Sequence, residues 1–293
     1  MNAKTFVIGD VHGRRAQLDA LLAELPRDSA RDTLVMIGDL IDRGGDAPGV
    51  VERCTELASA DGERFVLLRG NHEQMLLEFL DGESELWLHP ACGGATTVLQ
   101  YGVAPALISA CMGEEADADD LMHLRDELRR VIPPAHLDLL RGARLFYEDD
   151  FAIYVHAGLS GELHPRDTAP EHLIWSRDHT FFSHYTGKPC IFGHTPAPLL
   201  PLRGRVGRHG IYVCHSAIGI DSGYTPDLPL SCLELPAFVL RQAFADGRTT
   251  THRIAAFIPK PLRAMRARYE SESRAANRGD ERSHDEAASH VKI

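Results

Sequence analysis

Short runs of consecutive apolar residues, each closed by a glycine and a polar side chain, set the rhythm of the N-terminal part of the chain. Residues 5–8 (TFVI) end in Gly9-Asp10, and residues 33–37 (TLVMI) end in Gly38-Asp39. Residues 64–68 (RFVLL) end in Arg69-Gly70-Asn71-His72. Unalternated apolar runs of this length suit strands buried on both faces. Between the first two, Leu18, Leu21, Leu22 and Leu25 recur at helical spacing, and Pro26 stops the pattern. Residues 48–60, with Pro48 in the first turn, and 73–80 read as two further helices. The order βαβαβα with right-handed crossovers predicts a parallel sheet with helices on its faces. Ligands bind beyond the carboxyl ends of such strands, where all three glycine-containing polar motifs fall.

Residues 81–145 predict a mostly helical insertion, with a Gly93-Gly94 turn and an acidic stretch over 114–120. Two readings stand side by side: a cap over the site, or a solvated bundle without a catalytic role. Strand patterns return at 152–155, which end in His156, and at 190–192, which end in Gly193-His194. Residues 211–213, 231–235 and 237–243 have the same β-like composition, and a second sheet packed on the first is expected. The chain reads as one domain over 1–258 followed by a polar, charge-mixed tail, 259–293, expected to be disordered.

Composition narrows the function classes. With 293 residues, 44% hydrophobic and 25% charged, the chain is an ordinary globular one with ample core. A formal net charge of −11 disfavours nucleic acid as a partner. It is compatible with carboxylates gathered for divalent cations. The six cysteines contain no C-x-x-C pair, which argues against a zinc knuckle and for free thiols. The N-terminal apolar run is too short for a signal peptide, and no stretch reaches the roughly 20 apolar residues of a membrane span. A cytoplasmic protein without membrane contact is expected; the sequence leaves its oligomeric state open.

The chemistry lies in five segments: residues 9–13 (GDVHG), 38–44 (GDLIDRG), 70–73 (GNHE), 156–158 (HAG) and 193–195 (GHT). Asp10 and His12 form a D-x-H pair just past a strand, where both side chains can reach one cation. Asp39 leaves the next strand at the matching height, and a carboxylate can bridge two cations. Asn71 offers an amide oxygen, and His156 and His194 leave two later strands. A mixture of imidazole and oxygen donors suits two divalent ions such as Mn, Fe or Zn better than Ca or Mg. Two cations would acidify a shared water and neutralise charge on a phosphoryl group. Arg43 and Arg177 offer guanidinium forks for the remaining phosphoryl oxygens. His72, held by Asp42 in its donor tautomer, would act as general acid. Each motif alone has a bland explanation. Asn71 could be the cap of a helix starting at Glu73, Glu73 a helix-start or supporting residue, and Arg69 a strut. His215, in a probable strand near the site, is read as structural. The joint pattern carries the inference.

In this order GDVHG, GDLIDRG and LRGNHE resemble the phosphoprotein phosphatase family of calcineurin-like metallophosphoesterases. HAGL, IWSRD and IFGHTP, with GNHEQM and the 87–97 segment, resemble its bacterial and phage branch, and the likeness runs from about residue 6 to 223. The resemblance implies an α/β (α+β) sandwich of two mixed β-sheets flanked by helices. It implies one metal on Asp10, His12 and Asp39 and a second on Asp39, Asn71, His156 and His194. Arg43, Asn71 and Arg177 would bind phosphate, with His72 and Asp42 as proton donor and orienter. It further implies manganese, and a metal-bridging hydroxide attacking phosphorus in phosphoserine or phosphothreonine proteins. The segment from Tyr224 to Pro229 departs from the Gly-rich turn usual in that branch. Two alternatives remain: a hydrolase of dinucleoside polyphosphates or other small phosphoesters, disfavoured by Glu73 and the Asp42-Arg43 pair, and a non-catalytic scaffold, disfavoured by the full ligand set.

Overall fold

A computed structural model describes residues 3–112, 116–201, 205–206, 210–225, 227–254 and the single positions 263, 267 and 271. The proposed tail, 259–293, lies outside the described residues apart from those three positions.

The N-terminal part forms β1 (Thr5–Ile8), α1 (Arg15–Ala23), β2 (Thr33–Met36), α2 (Ala47–Asp61), β3 (Phe65–Leu67) and α3 (Asn71–Asp81). Four helices follow: α4 (Gly94–Gln100), α5 (Pro105–Met112), α6 (Ala118–Val131) and α7 (Pro134–Arg141). Next come β4 (Phe146–Glu148), β5 (Ile153–Val155), α8 (Pro170–Trp175), α9 (His179–His184) and β6 (Cys190–Phe192). The remainder is β7 (Arg205–Val206), β8 (Tyr212–Cys214), β9 (Ala217–Gly219), β10 (Leu230–Leu235), β11 (Val239–Ala243) and β12 (Thr249–Arg253).

Two six-stranded mixed sheets result, in the orders β12-β11-β10-β1-β2-β3 and β4-β5-β6-β9-β8-β7. The parallel β1-β2-β3 core is as the pattern predicts. Two expectations need correction. The strands at 231–235 and 237–243 do not belong to the second sheet; β10 pairs antiparallel with β1, Thr5 opposite Leu235, and extends the first. The first sheet also carries helices on one face only.

The reason lies in the alternation along each strand. Phe6, Ile8, Leu34 and Met36 pack with α1–α3, whereas Val7, Val35 and Val66 pack with Tyr154, Ile191 and Ile218 of the second sheet. On the far side Val155, Cys190 and Phe192 meet Leu173 of α8 and Phe181 of α9. The layers are therefore helices, sheet, sheet, helices. A strand buried on both faces reads the same whether its second neighbour is a helix or another sheet.

Leu124, Leu128 and Leu140 of the insertion join the same core as α1–α3. The insertion extends the helical layer. Among the described residues no helix is long and apolar enough to cross a membrane. All six cysteines are free.

Candidate metal centre

Every one of the five motifs lies at the carboxyl end of a strand, and the two sheets bring those ends together. Asp10 and His12 follow β1, and Asp39, Asp42 and Arg43 follow β2. Asn71 and His72 follow β3, while His156 follows β5 and His194 follows β6. Helix α3 begins at Asn71, with Gly70 as its N-cap. Asn71 is thus not the cap considered above, and Asn71 and His72 sit in the rigid first turn.

The side chains converge. Asp39 Oδ2 lies 3.6 Å from His12 Nε2, and Asp39 Oδ1 lies 3.4 Å from His156 Nε2. Asn71 Oδ1 lies 3.1 Å from His156 Nε2 and 2.8 Å from His194 Nδ1. Among the described residues two groups with metal-ligating spacing emerge, His12-Asp39-His72 and Asp39-His156-His194, with Asp39 common to both. Asp10 Oδ2 accepts the His194 backbone N–H at 2.9 Å, and its Oδ1 is buried without a hydrogen-bond partner. A buried carboxylate oxygen without a hydrogen-bond partner is what a cation-binding role requires.

Tautomers are set from behind. Nδ1 of His12 lies 2.9 Å from Ile41 O, and Nδ1 of His156 lies 2.9 Å from Ile37 O. Each Nδ1–H donates to a carbonyl, which leaves Nε2 as a lone pair facing the cluster. Burial holds His12 well below its ordinary pKa, lowers His156, and takes His194 down to about 3 with His156 contributing. All three are neutral at neutral pH. Burial works against the charged form of Asp39, yet His156, His72, His12 and His194 outweigh it and hold this carboxyl below its usual range. Burial pushes Asp10 well above its ordinary value, and Asp221 and Asp39 add to the effect. Such crowded acids need a cationic counter-charge.

The site is strained. Among the described residues seven non-glycine positions have positive φ, and five of them belong to it: His12 (46°), Asp39 (51°), Asp42 (68°), Arg43 (64°) and His194 (63°). Left-handed non-glycine residues cost about 1–3 kcal/mol each and persist where surrounding packing fixes them. Gly193 is required beside them, since a Cβ there would fall 2.0 Å from Asp10 Oδ1.

His72 Nδ1 lies 2.6 Å from Asp42 Oδ2, and its Nε2 faces the cluster, 3.9 Å from Asp39 Oδ2. Burial alone would lower the His72 pKa, but Asp39 and Asp42 prevail and raise it above the ordinary value. Arg43 is exposed, its Nη1 3.1 Å from His12 Nε2 and its guanidinium 4.6 Å from the Tyr224 ring centroid. Arg177 is exposed, and its charge contributes to lowering the His194 pKa.

Several participants escaped the sequence. Tyr224, in the segment that departs from the family pattern, stands 5.9 Å from the His12 ring. Arg14 is buried and donates to the backbone oxygens of Val11 and Asp10 at 2.9 and 2.5 Å, its charge partly offsetting Asp221. Trp87 Nε1 reaches Asp42; a buried indole N–H needs an acceptor, and that was the available signal. His215 is not in a strand near the site. It is an exposed turn residue between β8 and β9, next to Ser216, whose carbonyl accepts Cys190 N–H at the opposite end of β6.

With this geometry in view, comparison with known proteins places the chain in a class. The family model for calcineurin-like phosphoesterases matches residues 3–198. The chain belongs to this family of metallophosphoesterases, hydrolases that use a dinuclear divalent metal site, and the cluster supplies candidate ligands for one. Among relatives, it is 40% identical over 84 residues to serine/threonine-protein phosphatase 1 of Salmonella typhimurium, covering 28% of this chain and 36% of the relative. It is 33% identical over 157 residues to a symmetrical bis(5'-nucleosyl)-tetraphosphatase of Chromohalobacter salexigens, covering 53% of this chain and 44% of the relative. The matches thus span less than half of either relative. A crystal structure given the provisional name diadenosine tetraphosphatase superposes with a TM-score of 0.55 at 19% identity, covering 86% of this chain and 94% of the other, and shows the shared fold.

Proposed function

We propose that the chain is a metal-dependent phosphomonoesterase that acts on phosphoserine and phosphothreonine in proteins. In this reading Asp10, His12 and Asp39 hold one divalent ion. Asp39, Asn71, His156 and His194 hold the other, both being manganese. When bound, the ions supply an acidified water and charge neutralisation at phosphorus. The chain's own residues do the rest. Arg43, Asn71 and Arg177 orient the phosphoryl oxygens, and His72, steadied by Asp42, delivers a proton from Nε2 to the departing oxygen.

The 2.6 Å contact between His72 Nδ1 and Asp42 Oδ2 is the observation that carries this reading. A serine or threonine alkoxide is a poor leaving group and gains most from a placed acid, whereas a nucleoside phosphate leaves readily without one. Asp42 and Arg43 therefore keep their weight in the argument. Glu73 loses its own: it is fully buried and bonds the backbone of Asp39, Leu40 and Gly70, so it does not meet a substrate.

A second reading, hydrolysis of dinucleoside polyphosphates, draws on the relative from Chromohalobacter salexigens. The test is kcat/KM with manganese on a phosphoserine and phosphothreonine peptide panel beside diadenosine tetraphosphate. Preference for the peptides is expected. Preference for the dinucleotide would overturn the protein-phosphatase reading and leave the metal chemistry intact.

A further inference from the structure

Asp42 is completely buried, and both of its carboxylate oxygens are engaged from behind by residues of the insertion. Trp87 Nε1–H donates to it at 3.2 Å from Oδ1 and 3.0 Å from Oδ2. Thr97 Oγ1 donates to Oδ1 at 2.6 Å and accepts the Asp42 backbone N–H at 2.9 Å. Neither Trp87 nor Thr97 belongs to the metal-spaced clusters.

Gln100, the last residue of α4, is fastened to the same loop, and Tyr101 just beyond it reaches α7. Gln100 Oε1 accepts Ala47 N–H at 2.7 Å, and its Nε2 donates to Gly44 O at 2.8 Å. Tyr101 Oη lies 3.0 Å from His136 Nδ1, and His136 Nε2 lies 2.7 Å from Glu52 on α2. Positions 97, 100 and 101 are i, i+3 and i+4, so one helix face supplies all three attachments. At the start of α4, a Cβ on Gly94 would come within 2.3 Å of Trp87 O and 2.8 Å of its ring, so helix and indole are pressed together.

We propose that Trp87 and Thr97 are positioning residues that fix the Asp42 carboxylate in the orientation that accepts His72 Nδ1–H, so that Nε2 faces the phosphoryl site. Its consequence for turnover rests on the reading of His72 as proton donor. The insertion is then neither a lid nor a passive bundle; it is the rear support of the acid. Removing the Thr97 hydroxyl strips a partner from Asp42 Oδ1 and from the Asp42 amide in a dry site. The carboxylate is then free to turn, and its bond to His72 loosens. Substituting a residue that orients a functional group from behind typically costs roughly 10–100-fold.

The experiment compares Thr97→Val, Thr97→Ser, Trp87→Phe and His72→Asn in zinc-loaded, diamagnetic protein. A downfield proton resonance for His72 Nδ1–H, assigned by its loss in His72→Asn, is the primary readout. Thr97→Val and Trp87→Phe should shift or broaden it, and Thr97→Ser should restore it. In parallel, both variants should lose kcat roughly 10–100-fold on a phosphoserine peptide with KM little changed, and lose less on an aryl phosphate. A resonance unmoved in Thr97→Val and Trp87→Phe would overturn the proposal, as would equal losses on both substrates accompanied by loss of bound zinc. If the resonance responds but His72→Asn slows both substrates alike, the positioning role stands and the proton-donor reading falls.

Discussion

Glu73 accepts the backbone N–H of Asp39 at 2.8 Å, joining the first turn of α3 to the residue that lies between the two metal-spaced clusters. The same carboxylate accepts Leu40 N–H at 2.7 Å and Gly70 N–H at 2.9 Å. It ties the loop after β2 to the loop after β3 and supports the left-handed backbone at Asp39. Burial, with Asp39 adding, pushes Glu73 up to about 7.

Glu73→Gln keeps the shape and withdraws one acceptor oxygen. Leaving a buried backbone N–H without its acceptor costs about 1–3 kcal/mol, so a destabilisation of about 2 kcal/mol is expected. Looser divalent-ion binding should accompany it. Urea denaturation and a metal titration check both, and wild-type values in the two would remove the strut.

Asp39 turns one oxygen toward His12 and the other toward His156. Asp39→Ala should therefore weaken both metal positions at once and abolish turnover. Metal content per chain after dialysis is the measurement. Loss of one ion with the other retained would show that the two sites do not share this residue.

His72→Asn separates proton donation from binding. The loss should be large on a phosphoserine peptide and small on an aryl phosphate, whose leaving group needs little protonation. Steady-state kcat on the two substrates decides it; equal losses would argue against His72 as the acid.

Asp221 gives a pH prediction. Burial raises it from an ordinary 3.8 to about 6, and Asp39 contributes in the same direction. Between those values the folded state keeps a proton that the unfolded chain has released. Wild-type stability from this group therefore falls as pH rises through that window. Asp221→Asn escapes the titration. In chelator-stripped protein its unfolding free energy relative to wild type should climb from pH 4 to 6 and then level, by about 3 kcal/mol across the window. A pH-independent difference would refute this assignment.

Much of the fold was legible because its signals are local. An apolar run closed by Gly-Asp marks a strand and the loop after it, and β1, β2 and β3 fall within a residue or so of the expected bounds. Placement of β10 and β11 was not legible. Their composition says strand, but which sheet they join depends on the antiparallel pairing of Thr5 with Leu235, far apart in sequence. His215 misled for a similar reason: hairpin geometry put it at the wrong end of its sheet.

The sequence by itself determined the family, the candidate donor types and the strand ends from which they project, because a metal site needs such donors and βαβ connections fix their side of the sheet. Only the tertiary structure decided what holds those donors in place. Ile41 and Ile37 carbonyls set the tautomers of His12 and His156, Glu73 splints Asp39, and Trp87 and Thr97 seize Asp42. These supports are hydrogen bonds of ordinary residues across long sequence separations. They leave no mark on composition or spacing, and they exist only once the helices and both sheets have packed.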